Sequence, residues 1–583
     1  MSFVMLLPAL SLPTFQGTVL KNASVMWRTL HDESPVNLLD FAYAIPLEKD
    51  DKKSYSNATT TLLAERYGGQ GIGGNGGGVR CGLLNGLQIK GIGKNLLVGR
   101  GADFFHSYGG ASLNEGMAEA IWGDVLDSAL PHGACRVLGL ISTGTRVPLL
   151  APKKGQDPTT ARALIVRQAL LRPAHYMRSP YFDPVDDRLT IISDTDRTRA
   201  AVATLPETLR SIYSGGESSS DQAAHPTLSD SLHMMFQRAA EQVAASRAKR
   251  IMHGSLIDSN FSIDGRWLDF GTSSCLPDHG RYFISPGAPD FLHEHLILRK
   301  TVKELHFYLR KYLPDKERGD LCTEEDLWRG FIEAFERRLP LEFCKLTGVP
   351  HDSIARMNRA LVEPMYAVMQ RIIDTKSQVP YSLCEAESLG NFKVSDLPQR
   401  LARYHLCDLL QAVSFAFDRN AIDEIALAHL ADSALRRDFV ECFWSLRNEY
   451  LCSFSEEQQP HTRIFLGINT FRVNSGLPEF SRPTIYGDIE RCLLSKSNVS
   501  QFVDDRIALG KSVLMDASGD ATDLSAWFDK NTSVCVSAKR GIMIQGEAGS
   551  IEALNNLPSV NPRTAQMKLR IAESNESTTN HGH

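Results

Sequence analysis

The chain has 583 residues, more than a single core accommodates, so about two to four structural units are expected. Hydrophobic residues make up 43% and charged residues 22%, and the net charge of -5 offers no large basic field for nucleic acid or an anionic membrane. No run of about 18 or more apolar residues is present, so no transmembrane helix is expected.

The first stretch, "MSFVMLLPALSLPTF", is apolar but short, holds prolines and lacks a basic start. It reads as part of a packed N-terminal arm over 1–60 rather than a signal peptide. Residues 65–100 are rich in glycine. Gly68, Gly69, Gly71, Gly73, Gly74, Gly76, Gly77 and Gly78 crowd one short span. Glycines let a backbone approach phosphates closely, and Gly76, Gly77 and Gly78 are the candidate nucleotide contacts. A flexible surface loop is the plain alternative. The pattern is neither a Walker A sequence nor a dinucleotide fingerprint.

Val79–Leu84 and Leu87–Ile89 read as strands joined by an Asn85-Gly86 turn. Lys90 ends the second strand, where an ammonium can neutralise nucleotide phosphates; a solvent-facing lysine is the alternative. Leu113, Met117, Ile121 and Leu126 set a helix over 111–130. On it, Glu119 is the preferred carboxylate partner for Lys90, ahead of Glu115. Strands follow at about Arg136–Ile141 and Ala163–Gln168. Arg167 and Arg172 come next; a guanidinium fork suits phosphate oxygens, but taken alone a pair of surface ion-pair arginines is the favoured reading.

Residues 214–226 form a polar break, expected to be a mobile loop, and a helix follows at about 228–249. The stretch "HGSLIDSNFSIDGRWLDFG" then reads as a hairpin with a type I′ turn at Asp264-Gly265. Asn260 and Asp269 would face each other across it, as oxygen ligands for a hard cation such as Mg²⁺ or Mn²⁺. His293 and His295 are two apart, a spacing that separates them on a helix. From about 287 to 455 the chain reads as mostly helical. The end of the chain, from about 572, reads as disordered. Eleven cysteines are scattered without a C-x-x-C pair, which argues against zinc and disulfides and suits a reducing cytoplasm.

The expected class is therefore α+β, with a protein-kinase-like bilobal plan. A strand-rich N-lobe would span 61–145, a mostly helical C-lobe 146–460 and a C-terminal extension 461–583.

The ordered set of motifs resembles the selenoprotein O (SelO) family, kinase-fold proteins that transfer AMP from ATP to protein hydroxyls. "LQIKGIG" is similar to the family's "LKGAG", which implies Lys90 as the strand lysine. "EAIWGDVLDSALPHGACRVLGL" resembles "EFLxSEAMHxLGIPTTRAL", which implies Glu119 as its partner. "IVRQALLRPAHY" is similar to the segment whose two arginines contact nucleotide, here Arg167 and Arg172. "HGSLIDSNFSIDGRWLDFG" resembles "HGVMNTDNMSIxGxTIDYG", which implies Asn260 and Asp269 as magnesium ligands.

The likeness covers roughly residues 65–280. Ser259 stands where the family has Asp, and Asp258 falls one residue early. Asp258, Ser259 and Asp269 are the candidate catalytic positions, with Asp258 expected as a base or as a support for the metal. The resemblance implies ATP and Mg²⁺ as cofactors and a protein or peptide as the acceptor. Phosphoryl transfer, modification of a natural-product peptide, and a nucleotide-binding pseudoenzyme scaffold are the alternatives.

Overall fold

The computed structural model describes residues 12–30, 36–48, 50–149, 157–214, 226–285, 287–374, 381–383, 405–517, 523–529, 532–538, 541–544 and 547–548. The start of the expected arm, residues 215–225 of the polar break and the tail from 572 lie outside these.

Eight strands form one antiparallel sheet. They are β1 Thr14–Leu20, β2 Ser24–Arg28, β3 Tyr43–Ala44, β4 Tyr55–Leu63, β5 Cys81–Leu84, β6 Leu87–Lys90, β7 Val137–Pro148 and β8 Thr159–Gln168. Their order across the sheet is β2-β7-β8-β6-β5-β4-β1-β3. The expected 1–60 arm therefore supplies β1, β2, β3 and most of β4, half of the strands. Their apolar residues are short and interrupted, so no single run announces a strand.

The β5–β6 hairpin forms as its sequence predicts. Asn85 and Gly86 both take positive φ, 49° and 80°, as a type I′ turn requires. Alternation then sorts the side chains. Ile89, Leu164 and Val166 point to one face, where they pack with Leu20, Phe41 and Leu62. Gln88 lies directly opposite Arg167, and Lys90 opposite Ile165, on the other face.

Helix α1, Leu113–Ala129, covers that second face. Ser112 caps it by accepting the Glu115 N–H at 3.1 Å. Met117, Ile121, Trp122 and Val125 are all fully buried. One side of α1 packs on the sheet. The opposite side meets α2, Arg482–Leu494, and α3, Val499–Leu514. The Trp122 ring meets Phe480 edge-on at 5.3 Å, and Lys511 pairs with Asp124 at 3.1 Å. The span after 460 thus packs directly against the helix that carries the candidate glutamates.

Between these parts the chain is mostly helical, and about half of the described residues are in helices. The fold class is α+β. Ten cysteines fall among the described residues and all are free thiols. No helix among the described residues is long and apolar enough to cross a membrane.

Candidate functional site

The sheet face and α1 enclose a dense charge cluster. Lys90 Nζ pairs with Glu119 Oε1, with Glu115 Oε1 at 3.1 Å and with Asp269 Oδ1 at 3.0 Å. Arg167 Nη1 donates to Glu119 Oε2 at 3.2 Å and to the same Asp269 oxygen at 2.9 Å. Arg172 Nη1 reaches Asp269 Oδ2 at 3.4 Å and donates to the Ser259 carbonyl at 3.0 Å. Lys90, Glu119, Arg167, Arg172 and Asp269, five of the sequence-derived candidates, therefore meet at one place.

Local rules explain the convergence. Strand register sets Lys90 beside Arg167. The one-turn spacing of Glu115 and Glu119 puts both on the α1 face above Lys90. Preferring Glu119 captured half of this, since Glu115 also holds Lys90 while Arg80 grips it at 2.7 and 3.0 Å. Asp269 arrives on a backbone with φ of 64°, a left-handed conformation that Asp and Asn adopt more readily than other non-glycine residues. That backbone turns its carboxylate into the cluster.

Four further residues belong to the site. Gln88 accepts from Arg167 Nε at 2.5 Å and donates to Glu65. Glu65 lies 3.4 Å from Arg172 and 3.2 Å from His175 Nε2. Arg80 completes the set. Period-two alternation from Lys90 points to Gln88; no local pattern marks Glu65, Arg80 or His175.

The charges shift one another strongly. Burial raises the Asp269 carboxyl, but Arg167, Lys90 and Arg172 outweigh it and hold the group well below the usual range. Burial likewise disfavours the Lys90 ammonium, yet Asp269, Glu119 and Glu115 keep it above its ordinary value. Glu115 is held down at about 2; burial opposes this, and Arg80 and Lys90 prevail. All three groups stay ionised at neutral pH.

The hairpin after His253 differs from its sequence reading. Gly265 has a φ of 97°, but Asp264 is not in the positive region, so the turn is not type I′. Gly265 N–H donates to the Ser262 carbonyl at 2.9 Å, and Ser262 N–H to the Arg266 carbonyl at 2.9 Å. This is a three-residue loop closed by one left-handed glycine. The Asp264 side chain braces it by accepting from Ser262 and from Arg266 Nε at 3.0 Å. Asn260 still lies beside the Asp269 arm, because Leu268 N–H donates to its carbonyl at 3.0 Å.

Asn260 Nδ2 donates to the Ser255 carbonyl at 2.7 Å, and its Oδ1 accepts from Ser259 Oγ at 3.2 Å. Ser259 therefore orients the Asn260 amide. Asp258 does not join the cluster. Its buried carboxylate accepts the Gln70 N–H, at 2.9 and 3.1 Å from its two oxygens. Burial pushes its carboxyl up to about 7, against the pull of that hydrogen bond. The expectation of Asp258 as a base beside the reacting group does not match this placement.

The glycines are also engaged. Gly76 N–H donates to the Leu97 carbonyl at 2.9 Å and Gly78 N–H to the Glu65 carbonyl at 3.0 Å. Gly77 has a φ of 139°, and a Cβ there would lie 2.4 Å from the Glu65 carbonyl oxygen. Gly77 and Gly78 brace Glu65, and the amides of Gly76 and Gly78 face protein carbonyls rather than the cluster.

His293 and His295 take separate partners, Asp290 at 2.8 Å and Arg247 at 2.9 Å. Between them, buried Glu294 accepts the N–H groups of Gly254 at 2.6 Å and His253 at 3.3 Å. It thereby fixes the start of the hairpin. Burial raises its carboxyl to about 7 despite those two bonds. A folded-state value above the unfolded one gives stability that is full below about 4.5 and lost as pH rises through about 7. Wild type is therefore expected to lose melting temperature relative to Glu294→Gln between about pH 5 and pH 8. Parallel melting curves across that range would refute the assignment.

No group of three or more His, Cys, Asp or Glu suited to a metal exists among the described residues. Asp269 and Asn260 offer oxygen ligands from only two side chains, and Asp269 already faces three cationic side chains. A bare dication would be repelled there. A Mg²⁺ ion that arrives with a phosphate ligand fits better, since it usually binds through one or two carboxylates plus substrate phosphates. Arg172 also keeps one buried guanidinium donor, Nε, without a hydrogen-bond acceptor among the described residues. No protein-family model matches the chain, and no curated protein matches it.

Proposed function

We propose that the cluster binds ATP with Mg²⁺ or Mn²⁺ and that the chain is a SelO-type transferase moving AMP from ATP to a hydroxyl of a protein or peptide. The overall plan in this reading is protein-kinase-like, with the eight-stranded sheet and α1 as the N-lobe and the helical remainder as the C-lobe. One observation carries it. A strand lysine, a helix glutamate and a hairpin aspartate, far apart in sequence, meet within a single ion-pair network around Lys90. Phosphate-transfer chemistry needs that combination of positioned cations and a metal-binding carboxylate more than it needs covalent help.

In this reading Lys90, Arg167 and Arg172 take phosphate oxygens, and Glu119 and Glu115 hold Lys90 in line. Asp269 and Asn260 hold the metal, which supplies charge neutralisation when bound. The acceptor oxygen forms a bond to the α-phosphorus as the bond to pyrophosphate breaks, and the hydroxyl proton passes to solvent or to pyrophosphate. Asp258 is turned to the glycine segment, which supports a reading in which no carboxylate among the described residues takes that proton.

ATP labelled with ³²P at the α position is expected to label the acceptor, and ATP labelled at the γ position is not. The reverse result would establish phosphoryl transfer instead. The placement of Asp258 favours a second reading, a nucleotide-binding scaffold without turnover. Stabilisation by Mg-ATP with no label on any protein or peptide would select it. A cytoplasmic site of action belongs to the same proposal, as does a small peptide substrate of a natural-product pathway.

A further inference from the structure

The glycine segment after β4 does not hang free. Three successive amides bind to residues beyond the sheet. Gly68 N–H donates to the Ala174 carbonyl at 3.0 Å and Gly69 N–H to the Arg178 carbonyl at 3.1 Å. Gln70 N–H is the third and ends on the Asp258 carboxylate. Asp258 is tied in turn to the same neighbourhood, because its own carbonyl accepts the Ala174 N–H at 3.2 Å.

The fit leaves no room for side chains. A Cβ on Gly68 would lie 2.1 Å from the Arg178 carbonyl, and one on Gly69 would lie 2.5 Å from the Asp258 carboxylate. Gly69 also has a φ of +76°, which L-residues rarely adopt. The glycines here serve close approach to protein.

Asp258 itself is fully buried. Among the described residues its carboxylate makes no hydrogen bond or ion pair with Lys90, Arg167, Arg172 or Asp269. The segment it fastens begins at Glu65 and Tyr67. Glu65 pairs with Arg172, and the Arg172 guanidinium sits over the Tyr67 ring at 5.2 Å. A mechanical path therefore runs from Asp258 through Gln70 and Tyr67 to a candidate phosphate-binding arginine.

We propose that Asp258 is a positioning residue, a latch that fastens the 68–70 segment and so orients Arg172, rather than a proton acceptor. Its consequence for nucleotide affinity rests on the ATP-binding reading given above; the latch itself does not.

Hydrogen exchange on the full chain without nucleotide tests the latch. In Asp258→Ala the Gln70 amide is expected to exchange roughly 10- to 100-fold faster, as loss of a charge-assisted hydrogen bond implies. Gly69→Ala should do the same from the other side, with the carboxylate intact. Asp258→Asn keeps an acceptor oxygen and should stay within about three-fold of wild type. Amides of α1 serve as the control for global unfolding. Unchanged exchange at Gln70 in both Asp258→Ala and Gly69→Ala overturns the proposal.

With ATP, the two unlatched variants should show KM raised about ten-fold and kcat changed far less. An Asp258→Asn variant that loses 10²–10⁴-fold in kcat with a fastened segment would show a general base and also overturn it. If wild type turns over no ATP, the exchange result alone decides the latch, and only the transferase reading fails.

Discussion

Asp269→Asn is expected to lower label transfer from ATP by on the order of 10³-fold while leaving the fold intact. Three cationic groups converge on this one carboxylate, so its charge sets the balance of the cluster. Asparagine is a better probe than alanine here. The backbone at 269 has a φ of 64°, which Asn tolerates and which Ala adopts only at about 1–2 kcal/mol. The asparagine oxygen also still accepts from Lys90 and Arg167. Titration calorimetry should show Mg²⁺-dependent ATP binding in wild type and none in the variant. Mg²⁺ alone should give no heat in either. Full turnover and unaltered Mg²⁺ dependence in Asp269→Asn would remove Asp269 from the metal-binding role.

Lys90→Met should be the most destabilising single change in the cluster, at about 3 kcal/mol. The methionine fills the space of a side chain that is 5% exposed, so little of this comes from a cavity. The cost comes from buried carboxylates left short of a cation. Among the described residues Glu115 keeps Arg80, Glu119 keeps Arg167 and Asp269 keeps Arg167 and Arg172. ATP affinity should fall at least about ten-fold in the same variant. Because Glu119 is a direct partner of Lys90, adding Glu119→Gln to Lys90→Met should cost less than the two changes summed, by about 1 kcal/mol or more. Strict additivity in thermal melts would mean that the two residues do not act as a pair.

Much of this site is written in local pattern. Asn85-Gly86 fixes a hairpin because only certain residues accept two successive positive φ values. The spacing from Leu113 to Leu126 fixes α1 and with it both glutamates. What local pattern lacks is pairing at a distance. Gln88 and Arg167 are 79 residues apart, and nothing in either segment names the other. Glu65 shows the same limit, because two of its partners, Arg172 and His175, lie on a turn beyond β8. The Asp264-Gly265 turn departs from its local pattern for a different reason. The dipeptide suits two loop geometries, and the backbone partner of Ser262, outside the dipeptide, decides between them. Asp258 illustrates a third case, since its type suggested chemistry while its neighbours gave it a glycine backbone to hold. The strands before residue 61 are hard to read because their apolar runs are short and interrupted, and β2 and β4 are completed by β7 and β5 from later in the chain.

Helix α1 has a further consequence, for biosynthesis. Its two sides are covered by the sheet and by helices as late as residue 514, and the Lys511–Asp124 pair closes a separation of 387 residues. At about 5–20 residues per second, a ribosome needs about 20–80 s between making α1 and delivering its last partner. Throughout that interval the Trp122 side of α1 is an uncovered apolar surface. Nascent chains should therefore depend on holding chaperones until late in synthesis, and the charge cluster should assemble as one of the last events in folding.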